Sequence, residues 1–141
     1  MAAADVKAVN HIGIAVRSIE AQKGYYTEVL GAEFEGEEVV ADQKVKVGFF
    51  RVGPVRFELL EPTDPSSTVA AFLEKRGEGL HHVALEVDDI AARIADVKAK
   101  GLRMIDETPR AGSHGLQIAF VHPKSTFGVL TELCEATKGA H

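Results

Sequence analysis

An internal repeat constrains the fold of this chain more than any other feature of its sequence. The first copy begins at residues 10–16 (NHIGIAV) and ends at residues 57–61 (FELLE), and the second begins at residues 81–87 (HHVALEV) and ends at residues 131–135 (TELCE). Alignment of the copies pairs His11 with His82 and Glu58 with Glu132. Chance similarity between two common strand and helix units is the alternative. The histidine, the helix, its terminal glycine and the glutamate strand recur in the same order, which favours duplication of one structural unit.

Both copies show the same order of predicted elements, which is strand, helix, strand, strand and strand. After the first strand, apolar spacing predicts a helix over residues 19–30 that ends at Gly31, and strands over residues 33–40, 44–52 and 55–60. The second copy predicts a helix over residues 90–100 that ends at Gly101, and strands over residues 103–106, 117–122 and 129–134. Residues 66–68 (SST) are suited to begin a further helix in the linker between the copies.

Length and composition indicate one compact domain. The 141 residues suffice for one core shared by two modules, about residues 9–61 and 80–136, joined by a linker or lid helix within residues 62–79. The formal net charge of −5 argues against nucleic acid as a partner. No apolar run approaches the roughly 20 residues that span a bilayer, and residues 1–5 lack the features of a signal peptide. We therefore expect a cytoplasmic protein without a membrane partner, with a matrix location after processing as the alternative. Cys134 is expected to be a buried side chain rather than a nucleophile.

Alternation along the strands places the repeated polar side chains beside small neighbours. His11 shares its face with Gly13 and Ala15, and His82 shares its face with Ala84. A buried network in which His and Glu satisfy each other is the structural alternative. Burial of two carboxylates together is unfavourable without a cation, and two imidazoles with two carboxylates suit Co²⁺, Mn²⁺, Zn²⁺, Ni²⁺ or Fe²⁺. The predicted metal ligands are His11, Glu58, His82 and Glu132.

The chain from residue 9 to residue 135 resembles the vicinal oxygen chelate superfamily and, within it, the methylmalonyl-CoA epimerases. The similar segments are NHIGIAV, ELLEP at residues 58–62, GEGLHHVA at residues 77–84, HPKS at residues 122–125 and GVLTEL at residues 128–133. The resemblance implies an α+β fold in which two tandem βαβββ modules form a cupped, mixed, mainly antiparallel eight-stranded sheet with the helices on its outer face. It implies the same four metal ligands, Co²⁺ as the first choice of ion, and a homodimer. It also implies that His81 is structural.

The resemblance further implies an isomerase with an acyl-CoA substrate in propionate metabolism. Such an enzyme interconverts (R)- and (S)-methylmalonyl-CoA by removing the C2 proton to give a metal-stabilised enolate and returning a proton on the opposite face. We assign these two proton transfers to Glu132 and Glu58. The glutamate that some family members use as a base falls at Val47 in our alignment, and valine accepts no proton.

Several residues outside the four ligands are candidates for substrate contacts. Gln43 and Lys44, with Lys46 nearby, are candidates to position a water or serve the second face of the substrate. The glycine-rich segment 109–115 can bring the backbone amides of Gly112 and Ser113 close to an anion, or it can be a plain hairpin connection. Lys124 in the HPKS segment has the same two interpretations. Exposure to solvent is expected for His114 and His141.

Other functions in the same superfamily remain open. A glyoxalase I type lactoylglutathione lyase would use the same fold and ligand set on a glutathione adduct. A non-catalytic small-molecule-binding member would bind without chemistry, although such members generally lose the ligands that this chain keeps. The paired histidines and the HPKS segment favour the epimerase over the lyase. An extradiol dioxygenase normally has two histidines and one carboxylate at iron, so the fourth ligand argues against it.

Overall fold

The computed structural model describes residues 6–136, so the expected exposure of His141 lies outside the described residues. The chain divides into two compact units, one formed by residues 11–81 and the other by residues 82–136 with residues 6–10. The boundary follows the internal repeat, and the linker helix belongs to the first unit. The described residues form eight strands, four from each copy, which confirms the α+β class and the tandem βαβββ modules. Within the described residues, every helix is too short or too polar to cross a membrane.

The first copy folds in the predicted order. Strand β1 (Ala8–Ala15) leads to helix α1 (Ile19–Gly24), which continues into a π-helical turn (Tyr25–Val29), and then come β2 (Glu33–Val40), β3 (Val45–Val52) and β4 (Val55–Pro62). The strand order is β2-β3-β4-β1, with β4 antiparallel to β3 and parallel to β1. The predicted helix is thus confirmed in position. Gly31, which follows it, has a φ of 73°, the left-handed conformation that ends many helices.

The four strands of the first copy are covered by helices on both of their faces. Helix α1 packs through Ile19 against Leu59 and Phe50 on one face. The linker helix α2 (Thr68–Arg76) begins at Ser67, whose hydroxyl accepts a hydrogen bond from the Val69 N–H at 3.1 Å. Helix α2 covers part of the other face, where its apolar side packs against the strands in a cluster of Ala15, Val45, Val47, Phe49, Leu60, Val69 and Leu73. The predicted linker helix is confirmed.

The second copy repeats this plan with a shorter edge. Strand β5 (Gly79–Glu86) leads to helix α3 (Ile90–Ala99), followed by β6 (Arg110–Ala111), β7 (Leu116–Val121) and β8 (Thr131–Ala136). The strand order is β5-β8-β7-β6, with β5 parallel to β8 and the remaining pairs antiparallel. Asp89 caps α3 by accepting a hydrogen bond from the Ala92 N–H at 3.1 Å. Gly101 follows the helix with a φ of 86°, as predicted.

The strand predicted at residues 103–106 is wrong. Met104 makes an isolated bridge to Val121, and the two-residue strand β6 lies further along the chain. The N–H groups of Ile105 and Asp106 both donate to the Phe120 carbonyl, at 2.8 and 3.3 Å. The Asp106 carboxylate accepts from the Phe120 N–H at 2.9 Å. These bonds satisfy the edge of β7 without a regular ladder, so the segment does not continue as a strand.

Each copy also contains a hydrogen bond between the end of its last strand and the start of its helix. The Ile19 N–H donates to Glu61 Oε1 at 2.8 Å, and the Ile90 N–H donates to Glu135 Oε1 at 2.7 Å. The N–H groups of a helix's first turn have no partner inside the helix, and the helix dipole favours negative charge there. Both glutamates therefore fix a helix onto the strand that bears a candidate ligand.

Candidate metal and substrate site

In the first unit, His11 and Glu58 lie on adjacent parallel strands and contact each other. The register between β1 and β4 puts Gly13 beside Glu58, and His11 lies two residues earlier on the same face. Nδ1 of His11 is 3.2 Å from Oε2 of Glu58, and the two side chains are 3% and 4% exposed. The contact is therefore almost free of water.

The second unit has the equivalent pair in the equivalent register. Ala84 lies beside Glu132, and His82 lies two residues before Ala84. Nε2 of His82 is 3.2 Å from Oε1 of Glu132, and each side chain is 5% exposed. The His82 ring also meets the Phe120 ring edge-on, with centroids 5.4 Å apart. The matching register supports the duplication inferred from the sequence.

The chemistry of these pairs fits a divalent cation. Each unit offers an imidazole nitrogen and a carboxylate oxygen, which suit first-row transition metals. Buried carboxylates need a compensating charge or hydrogen bonds to remain ionised. Each histidine contacts the glutamate of the same copy. The small residues Gly13, Ala15 and Ala84 on the same strands as the histidines are buried. The assignment of all four side chains to one ion stays a prediction.

Val47 and Glu58 lie on the same face of the strands of the first copy. In the antiparallel pair of β3 and β4, Phe49 is opposite Glu58 and Val47 is opposite Leu60. Val47 is buried in the cluster under α2. Its side chain therefore contributes packing near the candidate ligand, and the position supplies no proton acceptor.

The candidates around Lys44 lie where the chain enters β3. Gln43 ends a short 3₁₀ turn (Ala41–Gln43), and Lys44 follows it in the left-handed region, with a φ of 54°. The Lys44 Nζ donates to Ser66 Oγ at 2.6 Å, just before α2. Lys46 lies 3.8 Å from a Glu37 oxygen and 3.7 Å from a Glu61 oxygen. Contact of Gln43 or Lys44 with substrate stays a prediction.

The glycine-rich segment is a hairpin, as one of its two interpretations predicted. The Gly112 N–H donates to the Leu116 carbonyl at 2.9 Å, and a 3₁₀ turn (Ser113–Gly115) closes the loop. A Cβ added to Gly112 would lie 2.8 Å from Ile118 Cγ2, so this position requires glycine for close packing. Ser113 is buried and His114 is exposed. The anion-binding role of Gly112 and Ser113 stays a prediction.

The remaining polar predictions concern loops and single side chains. Lys124 is exposed in a 3₁₀ turn (Pro123–Ser125), where its N–H donates to His122 Nδ1 at 3.1 Å; its contact with substrate stays a prediction. The His81 ring packs against Phe72 of α2, with centroids 4.9 Å apart, which supports a structural role. Cys134 is buried, as predicted, and its thiol lies 3.6 Å from the Leu85 carbonyl oxygen.

Sequence reasoning did not select Arg110, although it lies in the glycine-rich segment. The structure places its guanidinium 5.8 Å from the centre of the Phe120 ring, which in turn contacts His82. A basic residue beside a predicted anion-binding loop was the available signal. The sequence alone could not show that the Arg110 side chain lies near Phe120, because that depends on the register of β6 with β7.

The chain is similar to known proteins along most of its length. Residues 10–120 match the family model described as the Glyoxalase/Bleomycin resistance protein/Dioxygenase superfamily. An uncharacterized protein of Bacillus subtilis is 44% identical over 133 residues, which cover 94% of this chain and 95% of that protein. The ethylmalonyl-CoA/methylmalonyl-CoA epimerase of Cereibacter sphaeroides is 39% identical over 127 residues, which cover 89% of this chain and 95% of the epimerase.

This chain is also similar to a solved epimerase structure. A variant of the Streptomyces coelicolor methylmalonyl-CoA epimerase, in complex with 2-nitronate-propionyl-CoA, superposes with a TM-score of 0.90 at 37% identity, and the match covers 94% of this chain and 96% of that chain. The chain therefore belongs to the glyoxalase, bleomycin resistance protein and dioxygenase superfamily, and within it to the family of the methylmalonyl-CoA epimerases, which are isomerases.

Proposed function

We propose that this protein interconverts the (R)- and (S)-epimers of methylmalonyl-CoA through a metal-stabilised enolate. The observation that supports this most directly is the buried His–Glu contact of 3.2 Å that recurs in both copies of the repeat. Similarity to epimerases along nearly the whole chain supports the substrate.

We propose His11, Glu58, His82 and Glu132 as the ligands of one divalent ion. Co²⁺ is the first choice, and Mn²⁺, Zn²⁺, Ni²⁺ and Fe²⁺ suit the same donors. When bound, the ion would supply Lewis-acid stabilisation of the charge that develops on the thioester oxygen. The glycine and alanine beside the histidines leave space for a chelating substrate.

The two carboxylates are the proposed proton carriers. Inversion at C2 requires a proton to leave one face of the substrate and a proton to return to the other. Glu132 and Glu58 occupy equivalent positions in the two copies, so we assign one face to each. His82 and His11 hold these carboxylates in place through their contacts of 3.2 Å.

The test measures metal content, epimerisation and proton exchange in the same preparations. We expect close to one divalent ion per chain and conversion of a single methylmalonyl-CoA epimer to the mixture. Glu132→Gln should slow the loss of the C2 proton to deuterated solvent by about 10²- to 10⁴-fold, the usual contribution of a general base. The matched control is Glu135→Gln on the same strand. This variant should exchange the C2 proton of the substrate at the rate of the unaltered protein. Undiminished exchange in Glu132→Gln would remove this residue from the mechanism.

The same preparations distinguish the alternative functions. Activity on the hemithioacetal of glutathione, with none on the acyl-CoA, would assign the protein to the lactoylglutathione lyases. A chain purified gently without metal that binds small molecules and turns over neither substrate would be a binding member of the superfamily. The resemblance to the family leads us to two further proposals, namely a homodimer and a role in propionate metabolism. A cytoplasmic location stays a prediction from the sequence.

A further inference from the structure

The β6–β7 hairpin places an arginine on the face of the second copy's strands that bears Glu132. In the antiparallel register, Arg110 is opposite Ile118 and Phe120 is opposite Glu132. Residues two apart on a strand share a face, so the side chains of these four residues lie on one side of the sheet. Arg110 is the charged residue at the edge of that side.

Two contacts hold the guanidinium in position. Its Nε donates to Asp106 Oδ1 at 3.0 Å, and its carbon lies 5.8 Å from the centre of the Phe120 ring. The other oxygen of Asp106 accepts from the Phe120 N–H, which fixes the carboxylate to the backbone of β7. Phe120 also meets the His82 ring at an interplanar angle of 87°. The arginine is therefore two contacts away from a proposed metal ligand.

The remaining chemistry of Arg110 suits an anion. A guanidinium has five N–H donors in a planar fork, and Asp106 is placed to accept from Nε. The terminal Nη groups are the donors that bind carboxylate or phosphate in a bidentate arrangement. The side chain of Arg110 is 43% exposed whereas that of Asp106 is 16% exposed. The arginine is thus fixed at its base and open to solvent at its tip.

We propose that Arg110 is a specificity-determining residue that binds an anionic group of the acyl-CoA substrate. The group is either the free carboxylate of the acyl part or a phosphate of the CoA part, and each offers two acceptor oxygens to the Nη N–H groups. This inference depends on the proposed function. An ion pair that merely stabilises the hairpin is the alternative, and it predicts no change in ligand binding.

Calorimetric titration of three probes separates these outcomes. Malonyl-CoA has both anions, propionyl-CoA lacks the carboxylate, and malonyl-pantetheine lacks the nucleotide phosphates. If Arg110 binds the carboxylate, Arg110→Gln lowers the affinity for malonyl-CoA and malonyl-pantetheine by about 10- to 100-fold and leaves the affinity for propionyl-CoA unchanged. If Arg110 binds a phosphate, the affinity for the two CoA thioesters falls and the affinity for malonyl-pantetheine does not. Equal loss with all three probes, or no loss with any, overturns the proposal.

Control variants separate binding from folding. Arg103→Gln removes an exposed arginine from the same unit and should bind every probe as the unaltered protein does. Arg110→Lys keeps the charge without the planar fork, and we expect an intermediate loss with the same dependence on the probe. Thermal unfolding of each variant shows that it is folded. Failure of the unaltered protein to epimerise methylmalonyl-CoA would refute the proposed function, whereas unchanged probe binding by a folded Arg110→Gln would refute only the role of Arg110.

Discussion

Replacement of Glu135 by Gln should destabilise the protein through the start of α3, and replacement of Glu61 should do the same through α1. Each carboxylate accepts the first N–H of its helix, at 2.7 Å for Glu135 and 2.8 Å for Glu61. Glutamine keeps an acceptor oxygen but removes the negative charge from the positive end of the helix dipole. The two substitutions therefore test the same helix contact in both copies, and Glu61→Gln also removes a carboxylate that lies 3.7 Å from Lys46.

The magnitude follows from the geometry. A hydrogen bond to a charged group contributes about 1.5–3 kcal/mol, and a charge at an exposed helix end contributes about 0.3–1 kcal/mol. The Glu61 side chain is 25% exposed, so solvent screening favours the lower part of these ranges. We expect about 1 kcal/mol for each change to glutamine and about 2 kcal/mol for each change to alanine. The helices belong to different units, so the double variant should be additive within about 0.5 kcal/mol.

Urea denaturation followed by circular dichroism measures this effect. Each glutamine variant should lower the midpoint at an unchanged slope, since the surface exposed on unfolding is the same. The matched control is Glu74→Gln, which removes an exposed carboxylate from α2. Midpoints for Glu61→Gln and Glu135→Gln that equal the control would refute the argument that these carboxylates fix the helices.

Three further predictions concern the rest of the fold. Phe127 has a φ of 56° and a fully exposed ring, so Phe127→Gly should raise the free energy of unfolding by about 1 kcal/mol, and an unchanged melting temperature would contradict this. Hydrogen bonds from Arg51 and Arg56 hold the pKa of Glu35 below its usual 4.5. The stability that Glu35 adds over Glu35→Gln should therefore be constant above that value and disappear as the pH falls through the lowered pKa, which denaturation at a series of pH values below 4.5 would show. Gly112→Ala should cost about 1–3 kcal/mol in urea denaturation because its Cβ would lie 2.8 Å from an isoleucine methyl group, and a smaller cost would show that the isoleucine moves.

The longer helices and strands were predictable because each buries one apolar face, whereas the two residues of β6 are both exposed. Alternation located β1 and β5, and helical spacing with a terminal glycine located α1 and α3 to within a few residues. The capping segment at residues 66–68 located the start of α2. The positive φ of Gly31 and of Gly101 agrees with that interpretation. Local pattern sufficed here because the neighbours that decide these conformations are close in sequence.

The failures arise where a distant residue decides the backbone. The segment 103–106 alternates as a strand would, but bonds to Phe120, 14 residues away from Asp106, redirect it. The contact of Glu135 with the start of α3 spans 45 residues. Similarly, alternation placed His11 and Glu58 on chosen faces, whereas the 3.2 Å contact depends on the register between their strands. Alternation in the sequence predicts the face of the strand on which a side chain lies, whereas the register between strands decides which side chain it contacts.

The last strand of each copy serves two functions because of its alternation. Residues three apart on a strand face opposite sides, so Glu58 and Glu132 lie on the histidine side while Glu61 and Glu135 reach the helix on the other. Substitution of the first pair should change the chemistry, and substitution of the second pair should change stability. The edge strands differ between the copies, with Arg110 on the short β6. Since the two copies place their His–Glu pairs in the same register, we expect selectivity for a particular anion to come from these unrepeated edge strands.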